Sequence, residues 1–403
     1  MMKFILHIIC LLVYPFSFLL PRSRRMWAFG SYRGMFNDNS KYLFIHVSER
    51  HPEVTAAWIS RNRQTVKHVR SLGLRAYHVL SPKGVWFALR SGIWVVNSYT
   101  EDILFSLSGR ATVVNLWHGL ALKQIEFNIT SGPLADRYVR QTLREHITHP
   151  FAYRRPDLLL TVSECQTEMF AKAFRIERSR CMLLGYPRNE VMFMDEARRT
   201  AFIEKYEREE LKQLVHRAKR YDEVFIYMPT WRDSQQNLFT QSFNLERLNR
   251  CMQERNALML LKPHPNTKVD RDAVGCHSNI ELVADVGDIY PLLAYCNVLI
   301  TDYSSIMYDF IEMKQNSVIL YLYDYADYQG TRDFYFPFDE NVTGTKAYSF
   351  DELMRIVEHR EYTPHSANRS EIEHRFWGNS VAATASEDIV GFIKNYESKT
   401  NSI

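Results

Sequence analysis

Short apolar segments alternate with helical patterns along most of this 403-residue chain, and this alternation limits the folds that the chain can adopt. Strands that alternate with helices build parallel sheets covered by helices on both faces. The predicted strands form two series, 26–30, 55–60, 75–79, 93–97 and 112–117, then 223–228, 257–262, 279–284, 297–301 and 317–322. We therefore predict an α/β protein with two doubly wound, Rossmann-like halves.

The charged stretch 195–220 separates the two series of strands, so the domain boundary is expected just before it. We predict four parts: a membrane-associating segment at 1–25, an N-terminal domain at 26–195, a C-terminal domain at 196–378 and a terminal helix at 379–403. The chain length agrees with two domains of roughly 150 to 200 residues each.

Charge, cysteine content and missing motifs exclude several classes of protein. The 50 basic and 46 acidic residues leave a net charge of only +4, which gives no support to a nucleic-acid partner. The six cysteines show no Cys-x-x-Cys pair, so neither a disulfide framework nor a zinc site is indicated, and a reducing cytoplasm is expected. The sequence has no glycine-rich dinucleotide or P-loop motif and no nucleophile-elbow motif. We expect neither a cofactor nor a metal.

The amino terminus carries an apolar run, Phe4–Leu20, that is closed by a proline and three arginines (Pro21, Arg22, Arg24, Arg25). The run is short and interrupted for a membrane span and lacks the cleavage site of a secretory signal. One interpretation is a helix that dips into the cytoplasmic face of a membrane and holds the protein there peripherally. The other is a first helix buried against the body of the protein.

Polar residues that directly follow predicted strands are the candidates for a functional site, because ligands of doubly wound folds bind beyond the carboxyl ends of the strands. His118 and Gly119 follow the strand 112–117. An imidazole there can accept a proton near neutral pH. A histidine at a strand end also often serves only as a structural hydrogen-bonding residue, so both interpretations stay open for His118 alone.

In the second half, His264 stands between two prolines after the strand 257–262. There it can face phosphate oxygens, or it can lie in a turn and cap a neighbouring helix. Ser304 and Ser305 follow Asp302 at the start of a helical pattern. Free amides and hydroxyls at such a position can bind a diphosphate, although helix capping is the preferred interpretation for the two serines taken alone. Thr230 and Arg232 close the strand 223–228, where Arg232 can pair with a phosphate or equally with a carboxylate of its own fold. Arg188 is a further arginine at the domain junction.

Six segments in a fixed order make a more specific pattern than any one of them. They are Trp27–Ser31 with Asp38–Ser40, Trp117–Gly119, Gly185–Glu190, Met228–Arg232, Lys262–Pro265 and Thr301–Ser305. In this order the chain resembles the CDP-glycerol glycerophosphotransferase family, which includes the polymerases and primases of wall teichoic acid and related capsule enzymes. The resemblance runs from about Trp27 to near residue 345.

The resemblance implies a fold of the GT-B type, in which two Rossmann-like domains face each other across a cleft, with the acceptor on the N-terminal half and the donor on the C-terminal half. It also implies that an acceptor hydroxyl attacks the glycerol-bearing phosphorus of CDP-glycerol and that CMP departs without an obligatory metal. The expected partners are CDP-glycerol or another CDP-alditol, a lipid-linked glycan or polyol-phosphate acceptor, and the membrane surface.

Roles for individual residues follow from the same resemblance. His118 matches the general base and His264 the histidine set against the donor diphosphate. The donor and phosphate-binding residues would be Arg188, Thr230, Arg232, Asp302, Ser304 and Ser305, and the acceptor side would include Gly30, Ser31, Asn39 and Gly119.

Departures from the family pattern leave the polyol and the acceptor open. After His118 and Gly119 the family commonly has a Thr-Pro-Leu-Lys run, whereas this chain has Leu120–Lys123, with Glu126 as the nearest carboxylate. Ribitol phosphate or another alditol phosphate can therefore replace glycerol phosphate. Two other functions remain as alternatives: a nucleotide-sugar glycosyltransferase on the same scaffold, and a catalytically inert scaffold bound to a membrane.

Overall fold

The computed structural model describes residues 2–230, 243–263, 271–284, 286–325, 334–378 and 382–399. The chain forms two compact units. The first unit comprises residues 1–118, 125–190 and 377–403, and the second comprises residues 119–124 and 191–376. The segment that follows His118 thus belongs to the second unit, and the carboxyl-terminal segment belongs to the first.

The first unit is built on a sheet of seven parallel strands in the order β3-β2-β1-β4-β5-β6-β7. The strands are β1 Ser23–Phe29, β2 Thr55–Ser60, β3 Ala76–His78, β4 Ser91–Val96, β5 Thr112–Asn115, β6 Leu158–Thr161 and β7 Cys181–Leu183. Every residue of β4 is buried, as expected for a central strand that helices cover on both faces. The chain reverses its direction of strand addition between β1 and β4, which opens a binding position at the carboxyl ends of these strands.

Helices flank this sheet and connect its strands. The α-helices of the first unit are Met2–Val13, Asp38–Arg50, Arg63–Ser71, Pro82–Arg90, Ala135–Tyr138, Leu143–Thr148, Glu164–Ala173 and Ala385–Lys399. The helix Asp38–Arg50 buries most of its side chains, including the polar Asn39, Ser40 and Lys41 near its start. Such burial of polar groups requires hydrogen-bonding partners, which the strand ends supply.

The second unit contains a sheet of six parallel strands in the order β10-β9-β8-β11-β12-β13. The strands are β8 Glu223–Met228, β9 Ala257–Leu261, β10 Ile280–Leu282, β11 Val298–Thr301, β12 Ser317–Tyr321 and β13 Thr345–Ala347. The accompanying α-helices are Glu196–Tyr206, Glu209–Ala218, Leu245–Glu254, Arg271–Gly275, Tyr290–Leu293, Ile306–Ile311, Phe350–Glu358 and Arg369–Trp377. A further short helix, Glu190–Phe193, starts at the last residue of the segment 125–190 of the first unit. β8, β9 and β11 are buried and carry the core of this unit.

The α/β class and the parallel sheets predicted from the sequence are confirmed. The predicted strands 55–60 and 223–228 coincide with β2 and β8, and the other eight overlap observed strands. Three strands, β6, β7 and β13, were not predicted. Each has only three or four residues, which gives a weak periodic pattern, although β3, β5, β10 and β11 are as short and were predicted.

The amino-terminal segment forms the helix Met2–Val13 and a short 3₁₀ helix, Tyr14–Phe18. No helix in the described part of the chain is long and apolar enough to cross a bilayer. The segment is attached to the first unit, because the Tyr14 ring stacks on Phe105 at 4.3 Å and the Gly109 amide donates to Ser17 Oγ at 3.0 Å. Several of its large apolar side chains are nevertheless exposed: Ile8, Ile9, Leu12, Val13, Phe16, Phe18, Leu19 and Leu20.

Arg22 fastens the end of this segment to the first sheet. Its guanidinium donates to the carbonyl oxygens of Gly109, Ala88, Ser91 and Leu107 at 2.5–3.0 Å. Burial lowers the pKa of Arg22 to about 10, so the side chain stays charged at neutral pH. The alternative of a first helix buried against the body stays a prediction: Ile8, Ile9, Leu12 and Val13 of the helix are exposed, whereas Ser17 behind it is buried.

Gly30 directly follows β1 and lies in a space with no room for a side chain. A Cβ atom there would lie 2.7 Å from Ile103 Cγ1 and 2.8 Å from the Asp102 carbonyl oxygen. We expect Gly30→Ala to lower the free energy of unfolding of the first unit by roughly 1–3 kcal/mol. Urea denaturation followed by tryptophan fluorescence measures the change.

Gly391 provides the matched control, because it is exposed in the helix Ala385–Lys399 and an added Cβ meets nothing within 4 Å. Gly391→Ala is expected to be neutral or to stabilise by about 0.5–1 kcal/mol. Equal destabilisation by both substitutions would contradict the packing account of Gly30.

Candidate active site

Polar side chains gather at the carboxyl ends of β1, β4 and β5, and Asn97 lies at their centre. Its Nδ2 donates to Ser31 Oγ at 2.9 Å, and its Oδ1 accepts from both the amide and the hydroxyl of Ser40 at 2.9 Å. Ser31 in turn donates to Asn37 Oδ1 at 2.8 Å. These buried bonds join the end of β1, the end of β4 and the start of the helix Asp38–Arg50.

Asp102 fixes the loop that follows β4. Its Oδ2 accepts the backbone amides of Asn97 at 2.9 Å and Ser98 at 2.8 Å. Burial raises the pKa of Asp102 to about 7, and the two amide bonds oppose that rise. The loop is therefore held by a carboxyl group that water does not reach.

Asn39 connects the start of the helix to two other segments of the first unit. Its Nδ2 donates to the carbonyl oxygen of Trp117 at 3.0 Å, and its Oδ1 accepts the Arg188 amide at 3.2 Å. Because Asn39 is fully buried, both bonds are shielded from competition with water. Asn39 thus determines where the residue before His118 lies.

The backbone at Trp117 adopts a left-handed conformation, with φ of 52°. This conformation costs a bulky residue about 1–2 kcal/mol, so the surroundings must impose it. The Trp117 amide donates to Asn115 Oδ1 at 2.8 Å, in addition to the bond from Asn39 to its carbonyl oxygen. The next glycine, Gly119, has a φ of 142°, which favours glycine. The result is a tight turn with His118 at its tip.

His118 reaches solvent at the tip of the turn, but its ring packs beside Trp117 with 4.2 Å between the ring centroids, and one of its nitrogens faces the backbone. Nδ1 lies 3.1 Å from the carbonyl oxygen of Asn97 and 3.4 Å from Ser98 Oγ. A carbonyl oxygen can only accept, so the geometry assigns the proton of the neutral ring to Nδ1. Nε2 then keeps its lone pair and is the basic nitrogen.

Charged neighbours act on His118 in opposite directions. Desolvation by the surrounding protein lowers its pKa from the usual value, Asp38 raises it, and Arg188 lowers it. Asp38 and Arg188 also form an ion pair with Nη1 to Oδ1 at 2.9 Å, in which the Arg188 side chain is only 2% exposed. The lowered pKa leaves His118 mainly neutral at pH 7, as a proton acceptor must be.

In the second unit, the predicted site residues Thr230 and Asp302 belong to a second hydrogen-bonded loop. Asp302 Oδ1 accepts from the Thr230 amide at 2.9 Å, from Thr230 Oγ1 at 2.6 Å and from the Tyr303 amide at 2.6 Å. Thr301 Oγ1 donates to the Met228 carbonyl oxygen at 2.7 Å. These bonds tie the ends of the neighbouring strands β8 and β11 together, so Asp302 orders this loop.

Ser304 and Ser305 are half-buried immediately before the six-residue helix Ile306–Ile311. The Ile306 amide approaches Ser304 Oγ at only 3.5 Å, and the Ser305 side chain makes no capping hydrogen bond. Simple helix capping, preferred for these two serines taken alone, therefore does not account for Ser305.

Two of the predicted site residues, His264 and Arg232, lie outside the described residues. The strand that leads to His264 is described as far as Pro263, and the Lys262 amide donates to the Tyr227 carbonyl oxygen at 2.9 Å. Among the predicted first-unit residues, Ser31, Asn39, His118 and Arg188 belong to one hydrogen-bonded group, and Gly30 directly follows β1 beside it.

Sequence reasoning missed Asn97, Asp102 and Asn115. The available signal was that Asn97 directly follows the last apolar residue of β4, as His118 follows β5. It also missed a buried cluster in which the Tyr99 hydroxyl donates to Glu126 and lies 2.9 Å from the Tyr138 hydroxyl. Burial raises the pKa of Glu126 to about 7.

A model of the CDP-glycerol:poly(glycerophosphate) glycerophosphotransferase family matches residues 12–395. The teichoic acid ribitol-phosphate polymerase TarL of Staphylococcus aureus is 31% identical over 258 residues, which are 62% of this chain and 42% of that protein. The chain thus spans less than half the length of that relative. A teichoic acid glycerol-phosphate transferase of the same species is 26% identical over 353 residues, 81% of each chain.

Among solved structures, a variant of the wall teichoic acid polymerase TagF soaked with CDPG superposes with a TM-score of 0.75 at 22% identity. The match covers 94% of this chain and 90% of that one, and it shows a common fold. The family match extends over nearly the whole chain, including all the strands of both sheets. The chain belongs to the CDP-glycerol:poly(glycerophosphate) glycerophosphotransferase family.

Proposed function

We propose that this protein transfers a polyol phosphate, with glycerol phosphate as the first choice, from a CDP-activated donor to a hydroxyl of a lipid-linked or glycan acceptor. CMP is released, and the product belongs to a teichoic acid or capsule-type polymer. Family membership supports the donor class. The observation that carries the proposal is the presentation of His118, with Nδ1 bonded to a carbonyl oxygen and Nε2 available as a base.

In the proposed reaction the acceptor oxygen forms a bond to the glycerol-bearing phosphorus of the donor. The bond from that phosphorus to the bridging oxygen breaks, and CMP carries away the electron pair. The acceptor proton passes to His118 Nε2. General-base catalysis of this kind contributes about 10²–10⁴-fold to the rate, and the rest of the rate enhancement must come from positioning and from groups that meet the phosphate charge.

The groups proposed to hold the donor are Thr230, Asp302, Ser304 and Ser305. The three hydrogen bonds that Asp302 accepts would fix the loop, and the Ser305 hydroxyl, with no capping bond, can donate to a phosphate oxygen. His264, Arg232 and Arg188 remain predicted donor-side residues. Arg188 also pairs with Asp38, so its contribution would include the charge that it places near His118.

The residues proposed for the acceptor side support the turn that carries His118. Ser31 and Asn39 are bonded within the group that holds the turn at Trp117, and Gly30 allows β1 to approach Asp102. Gly119 completes the turn. Their proposed role is to place His118 where an acceptor hydroxyl can reach Nε2.

We also propose that the amino-terminal segment attaches the protein to the cytoplasmic face of a membrane. The support is the set of exposed apolar side chains within residues 8–20, followed by the exposed Arg24 and Arg25. Apolar side chains enter the acyl boundary of a bilayer, and arginines beside them are attracted to anionic lipid headgroups. Such attachment would keep a lipid-linked acceptor near the site.

The experiment that tests the proposed function incubates purified protein with CDP-glycerol, CDP-ribitol and UDP-sugars, each with lipid-linked acceptors. The proposal expects release of CMP and a product heavier by one or more polyol phosphates, read by mass spectrometry. Release of UDP or UMP with addition of a sugar would instead establish the glycosyltransferase alternative.

Replacement of the base should slow chemistry without removing the donor site. We expect His118→Ala to lower turnover by at least about 100-fold with donor affinity largely kept. His216→Ala is the matched control, because His216 is an exposed histidine of the second unit that is paired only loosely with Glu204 at 3.7 Å. Normal turnover of His118→Ala would refute the assignment of the base and favour an inert scaffold.

The pKa of His118 should move in opposite directions when the two members of the Asp38–Arg188 ion pair are removed. Asp38→Asn removes a negative charge that raises the pKa, so the pKa falls and the acid limb of the kcat/KM profile moves to lower pH. Arg188→Met removes a positive charge that lowers the pKa, so the pKa of His118 rises and the acid limb of the kcat/KM profile moves to higher pH. Titration of ring resonances by NMR measures these shifts.

The comparison has its own control, because each substitution breaks the same ion pair. Structural damage common to both variants would shift the pKa in one direction. Shifts of the same sign would therefore contradict the electrostatic account.

Membrane attachment should depend on the exposed side chains of the amino-terminal segment. Phe16 and Leu19 are 67% and 75% exposed, and burying each in a bilayer contributes about 1.5–3 kcal/mol. We expect the double variant Phe16→Ser, Leu19→Ser to bind anionic vesicles at least about 100-fold more weakly in sedimentation assays. Phe193→Ser, at an exposed phenylalanine of the second unit, should bind as the parent does, and unchanged binding of the double variant would contradict the proposed attachment.

A further inference from the structure

Three potential metal ligands from two distant segments of the chain meet on the first unit. His46 lies in the helix Asp38–Arg50, His51 follows its last residue, and Glu387 lies in the helix Ala385–Lys399. One ligand atom of each residue lies within 4.8 Å of those of the other two. None of the three takes part in the hydrogen-bonded group around His118. We propose that they form a binding site for a divalent transition-metal ion of the zinc class.

The distances between the ligand atoms suit a tetrahedral ion. Glu387 Oε2 lies 2.9 Å from His46 Nε2 and 3.2 Å from His51 Nε2. Zinc bonds of 2.0–2.1 Å at tetrahedral angles separate neighbouring ligands by about 3.3 Å. A metal ion can therefore replace the ring protons that join the two imidazoles to the carboxylate, with only small movements of the side chains.

The contacts of His51 Nδ1, the ring nitrogen that would not bind the metal, agree with a role of this residue as a metal ligand. Its Nδ1 lies 3.2 Å from Glu53 Oε1, so the ring can donate there while Nε2 faces the ion. A carboxylate behind a ligating histidine fixes the ring and raises its basicity. Lys394 donates to Glu53 at 2.5 Å and lies 3.2 Å from Nδ1 of His51, on the side of the ring opposite to Nε2.

The charge and exposure of the cluster also agree with a bound cation. Glu387 and Glu53 supply two negative charges, while Lys394 and the neighbouring Arg50 supply two positive ones, so an added dication faces no net repulsion from these four groups. The side chains of His46 and His51 are 16% and 10% exposed, and that of Glu387 is 58% exposed. Zinc can enter from solvent, and water can supply a fourth ligand.

A metal ion bound here would join the carboxyl-terminal helix to the helix Asp38–Arg50. The first turn of that second helix carries Asn39, which bonds to the carbonyl oxygen of Trp117. Occupancy would thus stabilise the element that supports the turn at His118. Local sequence spacing gave no sign of the site, because Glu387 lies more than 300 residues from both histidines.

The test uses the full chain with any affinity tag removed and bound metals stripped by a chelator. Zinc affinity is measured by competition with a chromogenic chelator, and cobalt is added to a second sample as a spectroscopic probe. We expect one equivalent of Zn²⁺ to bind, a rise in Tm, and the visible absorption of tetrahedral Co²⁺.

Zinc affinities of matched variants distinguish the residues that bind the metal from those that do not. His46→Ala and Glu387→Ala should lose the site, and Glu53→Gln should weaken it about 10–100-fold through the orientation of His51. Glu387→Gln keeps a group that can accept hydrogen bonds from both rings, so it should fold normally and still bind zinc far more weakly. His216→Ala, at an exposed His–Glu pair with a single histidine, should bind as the parent does.

Three results would overturn the proposal. The first is zinc affinity that is the same in Glu387→Gln, His46→Ala and the parent. The second is binding that requires millimolar Zn²⁺. The third is a cobalt spectrum that shows only the octahedral aqua ion. In that case the cluster serves only as a set of hydrogen bonds that join two helices.

Discussion

The left-handed turn at Trp117 is the constraint on which the candidate site depends. A tryptophan does not adopt a positive φ without support, and here two buried asparagines provide it. Asn115 binds the Trp117 amide and Asn39 binds its carbonyl oxygen. A third asparagine, Asn97, offers the carbonyl oxygen that faces His118 Nδ1. The same group of residues thus determines both the position and the protonation pattern of the histidine.

Burial of so many polar groups in the first unit has a thermodynamic consequence. Desolvation raises the pKa values of Asp102, Glu126 and Glu190 to about 7, above the values of unfolded acids. The folded state therefore binds more protons than the unfolded state between about pH 4 and pH 7. The contribution of these carboxyls to stability is complete below that window and is lost as the pH rises through it. Two of these carboxyls accept backbone amides: Asp102 accepts two amides after β4, and Glu190 accepts the amide of Ser386 in the first turn of the helix Ala385–Lys399.

Much of the fold could be predicted from the sequence, because buried parallel strands read as apolar runs. The bounds of β2 and β8 were predicted correctly at both ends, and His118 and Gly119 were identified because they directly follow the predicted strand 112–117. The short strands β6, β7 and β13 gave only a weak pattern, and each is held in its sheet by parallel pairing with the preceding strand: β6 with β5, β7 with β6 and β13 with β12.

The supporting residues of the site could not be predicted in the same way. Asn39 and Asn97 act through bonds to segments tens of residues away, and no local pattern distinguishes a buried asparagine from an exposed one. Asp102 binds the nearby amides of Asn97 and Ser98, but its role depends on burial that the sequence does not display. The cluster of His46, His51 and Glu387 is an extreme case, since its members meet only when the carboxyl-terminal helix packs on the first unit. The apolar amino terminus was recognised as unusual, but its attachment through Ser17 and Arg22 depends on partners near residues 88–109.

The most direct test of this account is the tautomer of His118, measured by ¹⁵N NMR on the protein at a pH above the pKa of this ring. Assignment rests on the resonance that is missing in His118→Gln. The account predicts a protonated Nδ1 bonded to the Asn97 carbonyl oxygen and an unprotonated Nε2. A proton on Nε2 in the neutral ring would contradict it, because the nitrogen assigned to accept the proton of the acceptor hydroxyl would already carry one.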